Sequence, residues 1–505
     1  MDDILLYRRQ FFITNEVIKG LEKWQCQKIH DYYLYAHPDL ELTKKEGLNS
    51  LIVLIGYIFD PINPEKNNEE ILSDVIVKIQ NMQDFIFTIK PYVGRYALIY
   101  LDKDQCAIFH DALGLREIYY CTNKNKVICG SQPNLISRYS DPKLGVTENR
   151  DILDFYQNDM KLVRSGRAWV GDETYFKDVK HLMPNHYLNI QSSTTIRYWP
   201  NKKLEKMDLD IAVKLSCKYL KGVLKAVTSR YKVMMAVTSG IDSRSLLAAS
   251  KDVQDKIYYF INQEHTLNNK SADIYIPKSM FERLKIPFHI HRIKGPVDEE
   301  FKKVFLQNTF MSTDRILPTI YNVYYKKHQD KVNLLGVGEL GREYYGEAPS
   351  ELTGYYLAHK LKYRSSRYST AQCERWLQEV KEISKNYNVD IMKLFLWEVL
   401  LGNWGAVGNS ESDIAIEEFD PYDSHYIYEI MFFVEQGRGR SGIGELFEGM
   451  FMDMWPELMD YPFNPNDTYK KQIKYLFQKL GIYKYLKEGR YIYDRWKFNR
   501  MMGKN

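Results

Sequence analysis

The spacing of apolar and polar positions changes character part-way along this chain. In the first part the runs are short. Residues 51–59 form a nearly unbroken apolar stretch that stops at Asp60-Pro61, and a polar loop follows over 63–70. An apolar-periodic segment over about 71–82 predicts an amphipathic helix. Strand-like runs come next at 96–101 and 106–109, joined by the turn Asp102-Lys103-Asp104, with another at 126–129. Short strands with a turn about every ten residues predict a largely antiparallel sheet domain of α+β type.

From about residue 230 the pattern alternates. Strand-like runs at 233–237, 256–262, 287–293 and 331–335 are interspersed with helical periodicity, clearest over 272–284. Alternation of this kind predicts an α/β domain with a doubly wound parallel sheet, whose ligands lie at the carboxyl ends of its strands. The first of these strands runs into Thr238-Ser239-Gly240-Ile241-Asp242-Ser243-Arg244, after which Leu246, Leu247, Ala248 and Ala249 read as helix. A strand, a tight turn of small residues and a helix N-terminus together favour an anion, since the first N–H groups of a helix lack internal partners. Thr238, Ser239 and Ser243 add hydroxyl donors, and Asp242 would hold Mg²⁺ among phosphates. The turn suits a pyrophosphate.

Composition narrows the class. At 505 residues the chain exceeds what one hydrophobic core organises, so at least two domains are expected. With 45% hydrophobic and 27% charged residues it reads as an ordinary globular protein. The start, Met1-Asp2-Asp3, is acidic where a secretory signal is basic, and the longest apolar run is too short to cross a bilayer. A soluble, cytoplasmic protein is the expectation. The six cysteines lack paired Cys-x-x-Cys spacing, so structural zinc is not expected, and Cys106 and Cys129 fall in strand-like runs suited to buried, reduced thiols. The net charge of +5 is uneven: from Lys470 onward eleven Lys or Arg face only Glu488 and Asp494. That tail is interleaved with aromatics, and such a segment either packs as a terminal helix or meets a membrane surface or nucleic acid.

The loop at 238–244 resembles the Ser-Gly-Gly-x-Asp-Ser loop of ATP pyrophosphatases, most closely that of asparagine-synthetase-like proteins. Thr238 and Ser239 stand where that family has Ser and Gly. The first half carries the same likeness over about 45–135: Gly94-Arg95-Tyr96-Ala97, then His110-Asp111-Ala112-Leu113-Gly114, then Tyr119-Tyr120 and Gly130-Ser131. These resemble the glutamine-amidotransferase domain of asparagine synthetases and imply an Ntn-type fold. Asp172 onward, through Pro184-Asn185, is similar to the family's bridging hairpin, and Tyr198-Trp199-Pro200 to its closing pair. The implied division is an amidotransferase-like domain over 1–200 and an ATP-pyrophosphatase domain with a helical C-terminal part over 201–505.

The departures matter. In that family a cysteine at the mature N-terminus cleaves glutamine, its own amine serving as base. Here Asp2 follows Met1, the first cysteine is Cys26, and the family's Asn-Gly oxyanion pair is represented by Ile55-Gly56. An inactive glutaminase is expected. Gly336-Val337-Gly338-Glu339-Leu340-Gly341-Arg342 resembles the family's second, acidic loop, which binds Mg²⁺ on the pyrophosphate. Asp242 and Glu339 would then hold Mg²⁺, Arg244 and Arg342 would neutralise the leaving pyrophosphate, and Phe260 would flank the base of ATP. The segment 418–424 is similar to one near the family's active-site floor, whereas the family's catalytic lysine motif is absent, leaving Lys470, Lys471 and Lys474 as candidates. The resemblance implies ATP-dependent adenylation of a small-molecule, peptide or sugar carboxylate and its transfer to an amine, as in the related beta-lactam synthetases and lasso-peptide cyclases. The alternative is a non-catalytic pseudo-synthetase that binds a nucleotide or a partner. A nucleic-acid enzyme is argued against by the amidotransferase-like first half.

Overall fold

The computed structural model describes residues 4–121, 128–139, 148–161, 169–203, 205–264, 266–310, 312, 314–341, 349, 351–363, 366–437, 442–465, 473, 476–477, 480–501 and 503. Among these residues twelve strands build the first half: β1 (Phe11–Thr14), β2 (Gln25–Ile29), β3 (Tyr32–Ala36), β4 (Leu42–Glu46), β5 (Ser50–Phe59), β6 (Val93–Asp102), β7 (Cys106–His110), β8 (Tyr119–Cys121), β9 (Ile128–Gly130), β10 (Val179–His181), β11 (His186–Asn189) and β12 (Thr194–Arg197). They form two antiparallel six-stranded sheets, ordered β10-β8-β9-β1-β3-β2 and β12-β11-β7-β6-β5-β4.

Side-chain alternation decides how the sheets stack. Ile13 and Leu34 of the first sheet meet Val53, Ile55, Ala97 and Ile99 of the second in one buried layer. Their neighbours Ile52 and Leu54 point the other way and bury Ile71, Val75, Phe85 and Ile86 of two covering helices. Phe12 and Tyr35 similarly face Leu135 and Ile136 on the outer side of the first sheet. The result is helix, sheet, sheet, helix.

Several expectations shift here. The helix expected over about 71–82 is two helices, Asn68–Ile76 and Met82–Ile89. Asn67 and Glu70 form a capping box that starts the first helix early, and Asn81 caps the second, so the break between them has a local cause. The segment resembling a bridging hairpin pairs with itself only at its start, where Glu173 bridges Lys180 and the His181 N–H donates to the Asp172 carbonyl at 2.7 Å. β10 joins the first sheet through β8 and β11 joins the second through β7, with Asn185 at φ +67° turning the chain between them. The strands β1 to β4 were not anticipated from the apolar pattern.

The second half contains a five-stranded parallel sheet of β13 (Val233–Ala236), β14 (Ile257–Gln263), β15 (His289–Arg292), β16 (Val332–Leu334) and β17 (Glu417–Phe419). Its order is β15-β14-β13-β16-β17. Helices cover both faces, as an all-parallel sheet requires. Val233 and Met235 pack on Leu220, Val223 and Leu224 of the Leu209–Arg230 helix and on Leu246 and Leu247. Met234 and Phe260 face Phe301, Phe305 and Ile320 on the other side.

The halves are joined by buried charge. Arg95 reaches both oxygens of Asp413 and donates to the Leu115 carbonyl, while Arg116 pairs with Glu417 and Arg9 reaches the Asp413 carbonyl. Arg95 and Arg116 are each 1% exposed. Burial drives the Glu417 carboxyl upward, but Arg116, Arg95 and Arg9 overcome it and hold its pKa at about 2. None of the six cysteines is in a disulfide; Cys26 is exposed and the other five are buried. Among the described residues no helix is long and apolar enough to cross a membrane.

Candidate functional site

The strand order reverses direction at β13. From there the chain moves outward through β14 and β15, then returns to place β16 and β17 on the opposite side. The connections leaving the carboxyl ends of the neighbouring strands β13 and β16 therefore flank the crevice that such a reversal makes. Open α/β sheets bind ligands at such a switch point.

The two loops that line this crevice are the two singled out above. Residues 238–240 lead from β13 into the Ile241–Ala249 helix, and 335–341 leave β16. They touch. A Cβ on Gly336 would lie 3.0 Å from the Asp242 carbonyl carbon and 3.2 Å from the Ser243 nitrogen. One on Gly338 would lie 3.0 Å from Asp242 Oδ1 and 3.1 Å from the Phe447 ring. Glycine at both positions is what lets the loops approach. Thr238, Gly240, Asp242, Ser243, Gly336, Gly338 and Glu339 are thus brought to one place.

A third carboxylate, which the sequence reading did not assign, joins them. Asp420 follows β17 and is fully buried, and its Oδ1 accepts from the Tyr422 and Val337 N–H groups at 3.0 and 3.4 Å. Oδ2 is buried without a hydrogen-bond partner among the described residues. Burial pushes this carboxyl well above the ordinary range, with repulsion from Glu339 and Asp242 adding to it, against the two N–H groups that favour the charge. Its position in a segment similar to an active-site floor was the available signal. Among the described residues no three metal-binding side chains converge on one point. Two carboxylates with phosphate oxygens are nonetheless the usual complement for Mg²⁺, and Asp242 and Glu339 are ligands of that type.

Other predicted residues play different parts. Arg244 is fully buried and points away from the crevice. Its guanidinium donates to the carbonyls of Ser239, Gly240, Leu458, Tyr461 and Pro462 at 2.9–3.4 Å and lies 3.5 Å from the centre of the Phe463 ring. Burial lowers its pKa to about 9, which still leaves it charged near neutrality. This corrects the reading of Arg244 as a phosphate ligand: five carbonyls already occupy its donors, and it clamps the turn to the segment at 456–465. Phe260 is also corrected. Strand alternation turns its ring into the core beside Phe301 and Phe305, where it is 0% exposed, so it cannot flank a base. Arg342, Lys470, Lys471 and Lys474 lie outside the described residues.

The turn's own donors are partly engaged. The Ser239 N–H and hydroxyl both donate to Asp273 Oδ1, at 3.0 and 2.6 Å, from the first turn of the Ala272–Leu284 helix. The Thr238 N–H donates to Ser243 Oγ and the Gly240 N–H to Thr238 Oγ1, both at 3.0 Å. Serine in place of glycine at 239 gives Asp273 a second donor to hold, a coupling the sequence could not display because the partners are 34 positions apart.

No family model matches this chain, and no curated protein does. Among solved structures it is similar to an allosteric regulatory enzyme of purine biosynthesis, at 9% identity and a TM-score of 0.25, over 58% of this chain and 78% of that one. It is also similar to the glutamine phosphoribosylpyrophosphate amidotransferase of B. subtilis complexed with ADP and GMP. That likeness has 10% identity and a TM-score of 0.23, over 66% of this chain and 70% of the other. At such TM-scores the likeness fixes neither fold nor activity. What defines the molecule is two antiparallel sheets sandwiched between helices, followed by a doubly wound parallel sheet whose two loops meet at its switch point.

Proposed function

We propose that this chain is an ATP-dependent amide-forming ligase. It would adenylate a carboxylate, release pyrophosphate, and pass the acyl group to an amine with loss of AMP. The observation that carries this reading is the meeting of the 238–243 and 336–339 loops at the switch point of the parallel sheet, with Asp242 and Glu339 on opposite sides of the contact. A carboxylate is a poor electrophile, and coupling it to AMP supplies a good leaving group whose departing charge needs a cation. Asp242 and Glu339 would hold Mg²⁺ there, while the N-terminal turn of the Ile241–Ala249 helix faces the phosphates.

In this proposal glutamine is not the ammonia source. β1 carries Phe11, Phe12, Ile13 and Thr14, all buried, and Cys26 sits on the edge strand β2. Ile55 lies inside the sandwich core and supplies no side-chain donor. Free ammonia, a second substrate, or an amine in the same molecule would serve instead.

A second reading has a specific observation behind it: the Thr238, Ser239 and Gly240 N–H groups are already bonded within the protein, and Arg244 is turned away. A turn satisfied in this way suits a protein that keeps the fold without the chemistry. Purified protein incubated with ATP, Mg²⁺, aspartate and either ammonia or glutamine separates the two. Pyrophosphate and AMP release that Asp242→Asn abolishes is the expected result. Neither turnover nor nucleotide binding, across a panel of carboxylates, would leave the non-catalytic reading.

A further inference from the structure

The last described helix, Ile482–Met501, is apolar on two opposite sides. One side docks on the protein: Tyr491 meets Tyr356 edge-to-face at 5.3 Å, Phe498 is 7% exposed, and Asp494, 1% exposed, pairs with Arg490 at 2.9 Å. The opposite side carries Ile482, Tyr485, Leu486, Ile492, Tyr493 and Trp496, exposed by between 44% and 74%. At about 100° per residue these six fall within an arc of roughly 120°. They form one continuous outward stripe.

Cations border it. Arg490 and Lys497 lie over the Tyr493 ring at 5.5 and 5.9 Å, and Lys497 and Arg500 lie over Trp496 at 5.7 and 5.5 Å. From Lys470 onward the chain carries +9, so the remainder is net negative. An apolar stripe with Tyr and Trp among its members and basic residues at its margins is the pattern of a helix that lies in a membrane interface. Nucleic acid would employ the cations and rings but has no use for exposed Ile482, Leu486 and Ile492. A second copy of the same helix would set basic margin against basic margin.

We propose that the Ile482–Met501 helix is a docking surface for an anionic lipid bilayer, lying parallel to it with Ile492 and Trp496 inserted among the acyl chains and Lys497 and Arg500 at the headgroups. Such binding would hold the protein at a membrane through a helix that lies along its surface.

The test uses the full chain and pelleting of sucrose-loaded vesicles made from phosphatidylcholine alone or mixed with phosphatidylglycerol. Expected are binding to the mixed vesicles, little to the neutral ones, and weakening as salt rises. The double variant I492E/W496E changes only exposed side chains and should lower vesicle binding at least about tenfold with its melting temperature unchanged. K497E/R500E should remove the preference for anionic lipid. Equal partition of the unaltered protein to both vesicle types would overturn the proposal, and that comparison needs no variant. So would full binding by I492E/W496E, or salt-sensitive RNA binding or self-association through this helix by a protein that ignores vesicles.

Discussion

Replacing Arg244 with methionine tests the correction at the centre of the candidate site. The guanidinium joins Ser239 and Gly240 of the turn to Leu458, Tyr461 and Pro462, and nothing else described donates to the last three carbonyls. Methionine preserves much of the stem's packing but donates nothing. An orphaned buried carbonyl costs about 1–3 kcal/mol. Tyr461 is half-buried and Pro462 exposed, so water can reach part of this segment and the lower end applies. Loss of the contact with the Phe463 face adds up to about 1 kcal/mol. A destabilisation of about 3 kcal/mol follows, visible as a melting temperature lower by about 5 °C. Limited proteolysis should open first at 456–465. The same variant should bind a fluorescent ATP analogue only a few-fold more weakly, because no phosphate contact has been removed. An unchanged melting temperature combined with abolished nucleotide binding would refute the clamp and restore Arg244 to the phosphates.

Other expectations concern charge and space. Asp413→Ala removes the bidentate partner of Arg95 in a site that is 1% exposed, leaving it Glu417 at 3.4 Å, and should cost about 3 kcal/mol in urea denaturation, whereas Arg95→Met with Asp413→Leu should cost far less than the two single changes summed. Additive losses would mean that the pair is not coupled. Glu117 is held near pKa 7 because burial outweighs the hydrogen bonds from Ser410, Tyr119 and Gln132. Its pKa is higher folded than unfolded, so its contribution is fully present below about 4.5 and is lost as pH rises toward 7. Glu117→Gln should therefore flatten the fall in melting temperature between those pH values, and an unaltered slope would exclude Glu117 as its source. Gly336→Ala would place a methyl 3.0 Å from the Asp242 backbone and wedge the loops apart. Nucleotide affinity should drop about tenfold or more while stability changes by less than about 2 kcal/mol; unchanged affinity would separate the loop contact from binding.

Local signals in the chain were sufficient for much of the second half. The helix expected over 272–284 is Ala272–Leu284, and the runs at 256–262, 287–293 and 331–335 became β14, β15 and β16. A buried parallel strand such as β13 reads as an apolar run, and small residues mark the turn that follows, so both are visible within a dozen positions, whereas β15 at the sheet edge is only partly buried. The first four strands were not visible. Gln25–Ile29 and Leu42–Glu46 are largely exposed edge strands whose residues carry little apolar pattern, and pairing with β3 and β5 makes them strands.

Within the site the division is similar. The sequence alone determined which residue types stand together there: the hydroxyls of Thr238 and Ser243, the carboxylates of Asp242 and Glu339, and the glycines that let two loops approach. Only the tertiary structure decided orientation. It turned Phe260 into a core because that strand buries both faces, and it drew Arg244 to five carbonyls because a buried guanidinium must fill its donors. It also delivered Asp273 to Ser239, and Asp420 to the crevice, from distant parts of the chain. Residue chemistry is local and can be read along a chain, whereas partner and direction depend on which surfaces remain unsatisfied when the strands have packed.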